Sequence, residues 1–503
     1  MPPSRSGSRR SGSIATWAVF AGPHSNGHFC GPHCALKEQS MAEDIIDTLN
    51  RSAKLFMDRG TAATAEEAEQ RLHSFRMHLF IGESAASSPT HQAALLTALN
   101  CARRTFLGGV TVSGVLDAPL TFPVVAGATL ADAVGHLQGI IVEDIPHGVP
   151  LVSIGTPPVI DRAGFAIRTT FEGWRAGLVP FDAPALPDSA EFAPAGVLAG
   201  ALAVSEVFAH FDGEPMAGYR SIGMSLWDLK RSADWRSSAS DGPVAVQFPS
   251  DFWVIGLGHL GQAFLWTIGL LPFADPSNVR MFLQDVDRVG PSTESTSVLT
   301  FATDAGRLKT RICADWAEAR GFQSRMVERR FASDLRVGHG EPLLALCGVD
   351  NPQARAILEG AGFTTIFEAG LGSGVEDFRL IRTHSFPAPN KAIGIWADGP
   401  EVDEEGPQGN APVALAGRPP AYKNLHDRGD LDECGLTRLG QVAVGAPFVG
   451  MIAAAVLISQ TIRMVADGVR PTVANLDLRA LQHRSLVLRE AHDIVLFGTA
   501  GSA

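Results

Sequence analysis

Apolar and polar positions along this chain fall into blocks that predict strands followed by helices. Residues 76–82 (RMHLFIG) read as a buried strand entering a small-residue turn, and 89–104 then predict a helix. Residues 251–261 (DFWVIGLGHLG) and an apolar helix over 262–271 repeat that order. Further on, each half has a buried strand, a polar turn and a second strand entering a glycine: 139–155 (GIIVEDIPHGVPLVSIG) and 343–370 (LLALCGVDNPQARAILEGAGFTTIFEAG). Each half closes with a helix of small and apolar residues, 195–208 and 445–464. Strands alternating with helices at these intervals predict parallel sheets covered by helices.

The expected fold class is therefore α/β, with doubly wound, Rossmann-like, mostly parallel sheets in two related halves. The relation lies in the order of elements, since Gly82-Glu83-Ser84 stands where the second half has Gly-x-Gly. Duplication with one degenerate half and two unrelated α/β domains both remain open on this pattern. The 503 residues amount to about three domains of ordinary size. Polar, Pro-rich linkers at 181–194 and 232–249 place the main boundary near 245. Three parts are expected: a disordered leader over 1–40, a first domain over 41–245, and a second over 246–503 with an insertion at about 375–433.

In the leader, Arg5, Arg9 and Arg10 precede a short apolar piece, 14–21, without a convincing cleavage site. His28, Cys30, His33 and Cys34 are too cramped for a usual zinc finger. The longest uncharged run, 442–459, just reaches bilayer length, but Gly445, Pro447 and Gly450 interrupt it. A helix buried between protein layers is the expectation, and no membrane partner.

Charge narrows the partners. Lys and Arg total 41 against 53 Asp and Glu, a formal net charge of −12, which argues against a general nucleic-acid binder. Six cysteines, at 30, 34, 101, 313, 347 and 434, form no CxxC pair and are too sparse for a disulfide scaffold, so a reducing cytoplasm is the expected compartment.

The chemistry gathers in the second half. Gly256, Gly258 and Gly261 form a GxGxxG between a predicted strand and helix, the setting of a phosphate-binding turn. The first glycine allows the tight turn, the second lets amides approach phosphate, and the third brings helix and strand together. The next strand ends at Asp285, 24 positions after Gly261 (285 minus 261), where a carboxylate can hold a ribose. A dehydrogenase needs one such acid. It does not need Asp287, Lys309 in GRLK (306–309), or Asp350 in DNPQAR (350–355).

GxGxxG, DxDxV at 285–289, GxxK at 306–309, DNxxxR at 350–355, AGLGSG at 369–374 and GAPFVG at 445–450 together resemble the ThiF/MoeB-like adenylyltransferases of the ubiquitin-activating enzyme superfamily. The match covers about 251–374 and 434–470; the first half is similar in architecture only, like the degenerate adenylation half that some members fuse to the active one. The resemblance implies Mg-ATP as cofactor and adenylation of a carboxylate, typically the C-terminus of a ubiquitin-like or sulfur-carrier protein, or of a peptide. By position, Gly256, Gly258 and Gly261 would hold the nucleotide, with Asp287 beside them, Asp285 the ribose, Lys309 the phosphates and Asp350 the magnesium. Read as residues alone, Asp287 can cap a turn, Lys309 can be a surface helix residue, and Arg355 can pair with a core carboxylate.

The chain departs from the family where SNLxRQ is usual: Thr293 stands for Asn and Thr296 for Arg. A hydroxyl brings no charge, so catalysis weakens unless another arginine compensates, with Arg71, Arg76 and Arg103 as candidates. Paired CxxC zinc knuckles are absent, and no structural zinc is expected. Cys434, in a polar stretch before the last core helix, is the candidate thioester acceptor, whereas Cys313 and Cys347 read as buried. A conjugating partner and a homodimer fit the resemblance. Two other readings remain: a nucleotide- or partner-binding scaffold that has lost turnover, and an NAD-dependent oxidoreductase.

Overall fold

The computed structural model describes residues 45–160, 164–230, 234–396, 402–403, 406–407, 417–490 and 499–501. The leader over 1–40 and its His/Cys group lie outside them, as does part of the 375–433 insertion.

The first half forms one sheet from β1 (Met77–Ile81), β2 (Val110–Gly114), β3 (Ile140–Ile141), β4 (Leu151–Ile154), β5 (Ala166–Glu172), β6 (Arg175–Pro180) and β7 (Ile222–Ser225). Their order is β3-β2-β1-β4-β5-β6-β7, with the first five parallel and the last two antiparallel to their neighbours. A short β8 (Gln247–Pro249) then leads into β9 (Asp251–Ile255), β10 (Arg280–Gln284), β11 (Gln323–Val327), β12 (Leu344–Cys347), β13 (Thr365–Leu371) and β14 (Leu380–Phe386). After a small hairpin of β15 (Val402–Asp403) and β16 (Gly406–Pro407), β17 (Val469–Asp477) and β18 (Ser485–Glu490) complete the second sheet, while β19 (Thr499–Gly501) pairs with β8. The second order is β11-β10-β9-β12-β13-β14-β17-β18, again parallel over its first five strands. Seven strands thus follow one topology in both halves. Each sheet has its switch point between the first strand and the fourth, β1 with β4 and β9 with β12, where open α/β sheets bind ligands.

The two small-residue helices become Ala193–Phe211 and Pro447–Asp467, both buried along almost their whole length. Small residues allow close contact: a Cβ on Gly196 would stand 2.1 Å from the Thr90 carbonyl oxygen, so the helix Ala193–Phe211 presses directly on the helix Pro89–Thr105. One apolar core runs through both halves, with Phe208 and Phe448 rings 5.8 Å apart across the join. Fully burying such a side chain stabilises by roughly 1.5–3 kcal/mol. Polar ties cross the same join: Trp266 Nε1 donates to Thr97 Oγ1 at 3.0 Å, and Asn100 Nδ2 to the Val298 carbonyl at 3.1 Å.

The described end of the insertion also docks on the N-terminal helices. Tyr422, on the helix Pro420–Asp427, donates its hydroxyl to Asp58 at 2.6 Å, and Arg428 pairs with Glu66 at 2.6 Å.

His78, in the middle of β1, is fully buried, with Nδ1 2.8 Å from Thr111 Oγ1 and Nε2 2.9 Å from Ser113 Oγ. Burial pushes its pKa down from 6.5 to about 4. The unfolded chain therefore takes up a proton that the folded chain refuses between these values. Stability is full above pH 6.5 and falls by roughly 3 kcal/mol as pH drops to about 4. Urea unfolding at pH 7 and pH 4.5 should show a smaller loss in His78→Gln than in wild type; equal losses would contradict this.

Candidate nucleotide site

The glycine turn sits at the second sheet's switch point, where β9 ends and the helix His259–Gly269 begins. Gly256 has φ 80°, a conformation that side chains rarely adopt. A Cβ on Gly261 would meet the Gly256 carbonyl oxygen at 1.9 Å, so this glycine lets the helix close on the strand. Around Gly258 nothing lies within 4 Å of a Cβ position. The turn thus opens beside Gly258, at the start of the helix, which suits an approaching phosphate.

Asp285 follows β10 and is 8% exposed. Its carboxylate accepts the amides of Leu257 at 2.6 Å, Val286 at 2.7 Å and Asp287 at 2.8 Å. It ties the glycine turn to the neighbouring strand and leaves about one of its four lone-pair positions open. Lys309, first residue of the helix Lys309–Glu318, donates to Asp287 Oδ2 at 2.9 Å, and its amide donates to the Asp287 carbonyl at 3.0 Å. Burial pulls the lysine pKa down, but Asp285, Asp287 and Asp350 outweigh it and the net shift is upward. The ammonium therefore stays charged among carboxylates.

Asp350 is exposed in the turn after β12, and the next residue, Asn351, caps the helix Pro352–Ala356 through Ala354 N at 3.1 Å. Arg355 does not face the site as a free cation. It donates to the Val349 carbonyl at 2.7 Å and pairs with wholly buried Glu368 at 3.2 Å, while Glu368 also holds His384 Nδ1 at 2.8 Å. Its visible work is to fasten the turn that carries Asp350.

An arginine within electrostatic reach of Asp350 comes from outside the three named from sequence. Arg71 lies over the Phe56 ring, Arg76 is exposed, and Arg103 crosses to the second half, where it pairs with Glu294 at 2.8 Å and lies over the Phe301 ring. Arg51 reaches the site instead. Its amide donates to Ser295 Oγ at 3.3 Å, its Nη2 to Ser292 Oγ at 3.4 Å, and its carbonyl accepts Gly445 N at 3.3 Å. Burial lowers its pKa, opposed by Asp47 and Asp350. It brings a guanidinium beside Asp350 and the loop where Thr296 replaces arginine. No local motif marks Arg51; the missing charge at 296 was the one signal that such a residue should exist.

Thr293 has structural work of its own, since its Oγ1 accepts Gly290 N at 3.0 Å. Thr296 Cγ2 lies 3.1 Å from the Cβ position of Gly445. An arginine at 296 would enter space bounded by Gly445 and share the site with Arg51. The double variant Thr293→Asn, Thr296→Arg is therefore expected to bind ATP more weakly than wild type; tighter binding by calorimetry would mean that Arg51 does not compensate.

The glycine-marked entry to the last core helix has a steric reason. A Cβ on Gly450 would stand 2.4 Å from Nε2 of His259, the residue after the second glycine of the GxGxxG turn. Burial pushes that imidazole down to about 4.

Cys434 is exposed, and among the described residues it is the one exposed cysteine. It lies in the first turn of the helix Glu433–Gln441, which Asp432 caps through Gly435 N at 2.7 Å, so 431–435 is a helix start and not a free turn. Cys101 and Cys347 are buried and burial pushes both thiols up to about 12; Cys313 is raised as well. Among the described residues no group of three or more His, Cys, Asp or Glu is arranged to hold a metal ion. A single exposed carboxylate such as Asp350 suits magnesium, which keeps its waters and shares substrate phosphates.

Two halves of one strand order, one of them carrying a glycine turn ringed by lysine, arginine and carboxylates, define an E1-like protein. The chain belongs to the BilD family. Residues 76–226 match the BilD N-terminal domain and 248–468 the BilD C-terminal domain. It is 42% identical over 429 residues to the bacterial E1-like protein BilD of Collimonas sp. (strain OK412), covering 84% of this chain and 89% of that protein. Among solved structures, E. coli MccB aligns with 12% identity and a TM-score of 0.30, over 50% of this chain and 63% of that one. MccB with AMPCPP and MccA aligns with 11% identity and a TM-score of 0.29.

Proposed function

We propose that the second half adenylates the C-terminal carboxylate of a ubiquitin-like or sulfur-carrier protein, or of a peptide. The observation that carries this reading is the grouping of Lys309 with Asp287 and with Asp285, whose carboxylate also holds the glycine turn, while Asp350 acts electrostatically on both Lys309 and Arg51. Gly256, Gly258 and Gly261 admit the nucleotide, Asp285 takes the ribose, and Lys309 and Arg51 neutralise phosphate oxygens. Asp350 would hold the magnesium, which supplies charge neutralisation on the phosphates when bound. The substrate carboxylate attacks the α-phosphorus, the bond to the β-phosphate oxygen breaks, and pyrophosphate leaves.

The Cys434 thiolate is the proposed next acceptor: its sulfur attacks the acyl carbon and AMP departs. Non-reducing electrophoresis with ATP and the cognate carrier should show a dithiothreitol-sensitive adduct that is lost in Cys434→Ala. An adduct that persists in the variant would rule this cysteine out.

ATP–pyrophosphate exchange, dependent on a carrier ending in Gly-Gly, tests adenylation itself. Binding of ATP without exchange would favour a scaffold with lost turnover, the reading suggested by Thr293 and Thr296. Binding of NAD in preference to ATP would favour an oxidoreductase. The cytoplasm is the proposed compartment.

A further inference from the structure

The first sheet has its own switch point, between β1 and β4, and a cavity of about 540 Å³ opens there. Gly155 follows β4 as Gly348 follows β12, so the cavity is the first half's counterpart of the nucleotide site. Ser84, Ser88, His91, Thr156, Arg168 and Asp188 line it. The helix Pro89–Thr105 begins at its wall, but that helix end is already satisfied: Ser88 Oγ accepts His91 N at 3.3 Å and Glu191 Oε2 accepts Thr90 N at 2.8 Å.

Two other groups are unspent. His91 is 5% exposed, and its Nδ1 lies 2.8 Å from Ser88 Oγ. Ser88 has one hydroxyl proton and gives it to Glu191 Oε1 at 2.7 Å, so in the imidazole contact the serine must accept and Nδ1 must donate. That leaves Nε2 buried without a hydrogen-bond partner, 3.6 Å from Asp188 Oδ2. In the neutral tautomer two acceptors then face each other across an unbridged gap. A buried polar group left in that state is destabilising, and a ligand ammonium, or a pair of neighbouring hydroxyls, can give one proton to each acceptor. Asp188 is held for this by its other oxygen, which accepts Thr170 Oγ1 at 3.0 Å and Phe171 N at 2.8 Å. The second group is Arg168, on β5, whose Nε is buried and unpartnered. A guanidinium is a planar fork matched to carboxylate and phosphate oxygens.

We infer that this cavity is a second ligand site, taking a small anion, phosphate ester or carboxylate, that also carries an ammonium group or a pair of hydroxyls. The anion sits on Arg168 and the donor sits between His91 and Asp188. The inference does not depend on what the second half catalyses.

The test is calorimetry on the full chain carrying Lys309→Ala, which weakens phosphate binding in the second half. AMP serves as the phosphate probe and glycylglycine as the carboxylate probe. One of the two should bind at one site per chain, and adding Arg168→Gln should weaken it by about tenfold or more, the scale of a lost charge-assisted pair. His91→Phe should weaken it as well. Because the Arg168 head group lacks a partner at Nε, Arg168→Gln should melt with the parent protein, which keeps the result separate from misfolding. No saturable binding of either probe at millimolar concentration, or binding that Arg168→Gln leaves unchanged, would overturn the inference.

Discussion

Asp350→Ala should abolish ATP–pyrophosphate exchange while thermal unfolding stays where it is. The side chain is exposed and lies beyond the end of β12, so its loss removes no packing. Surface changes of that kind usually move stability by less than about 0.5 kcal/mol. Its chemical loss is larger: the carboxylate acts electrostatically on Lys309 and Arg51, and it is the proposed magnesium holder. Removing a metal ligand from a phosphate site takes away several kcal/mol of charge stabilisation, on the order of 10²–10³ in rate. Full exchange in a folded Asp350→Ala protein would sink the assignment. An inactive protein that also melts early would mean that the turn, and not the carboxylate, is the essential element.

Arg104→Leu is expected to be the most destabilising single change considered, by roughly 2–4 kcal/mol. The guanidinium is 2% exposed and donates to carbonyls of Asn100 at 2.8 Å, Glu294 at 2.9 Å, Val298 at 3.0 Å and Thr300 at 2.8 Å, with the Asn100 side-chain oxygen as a further partner. Burial, with Arg103 beside it, pushes its pKa well down, yet the ring of carbonyls gives its protons partners. Leucine matches the apolar stem but strips the Glu294 carbonyl of its donor and leaves the Val298 and Thr300 carbonyls with only Asn100 Nδ2 at 3.1 Å and Arg103 Nη2 at 3.5 Å, and a buried carbonyl without a partner costs about 1–3 kcal/mol. The effect should reach the nucleotide site, since Glu294, Val298 and Thr300 belong to the same stretch as Ser292 and Ser295, which hold Arg51. Chemical unfolding and ATP titration of the variant should both shift. Unchanged stability would show that the Arg104 hydrogen bonds contribute nothing to the join between the halves.

The legible parts of this protein were those written in contiguous residues. The strand-turn-helix blocks gave the doubly wound class, because apolar runs and turn residues act within a few positions of each other. The glycine turn was readable for the same reason: Gly256 needs its positive φ and Gly261 its bare backbone wherever this strand meets this helix. Lys309 and Asp350 could be singled out because each sits at the start of its own element, at a spacing from the turn that motifs preserve.

What spacing cannot carry is a partner from another part of the chain. Arg51 meets Ser295 across 244 positions, and its choice over Arg71, Arg76 and Arg103 depends on how the N-terminal helices dock against the insertion and the last core helix. Arg355 was ambiguous in sequence because its partner, Glu368, lies on the next strand and is wholly buried, and burial is a property of packed layers. The cavity of the first half was hidden altogether: its walls come from the ends of β1 and β4, from β5 and from the linker at 186–191, and they meet only once the parallel sheet brings their ends to one edge. Local propensity places elements along the chain, whereas long-range burial and hydrogen bonding select which side chains share a site.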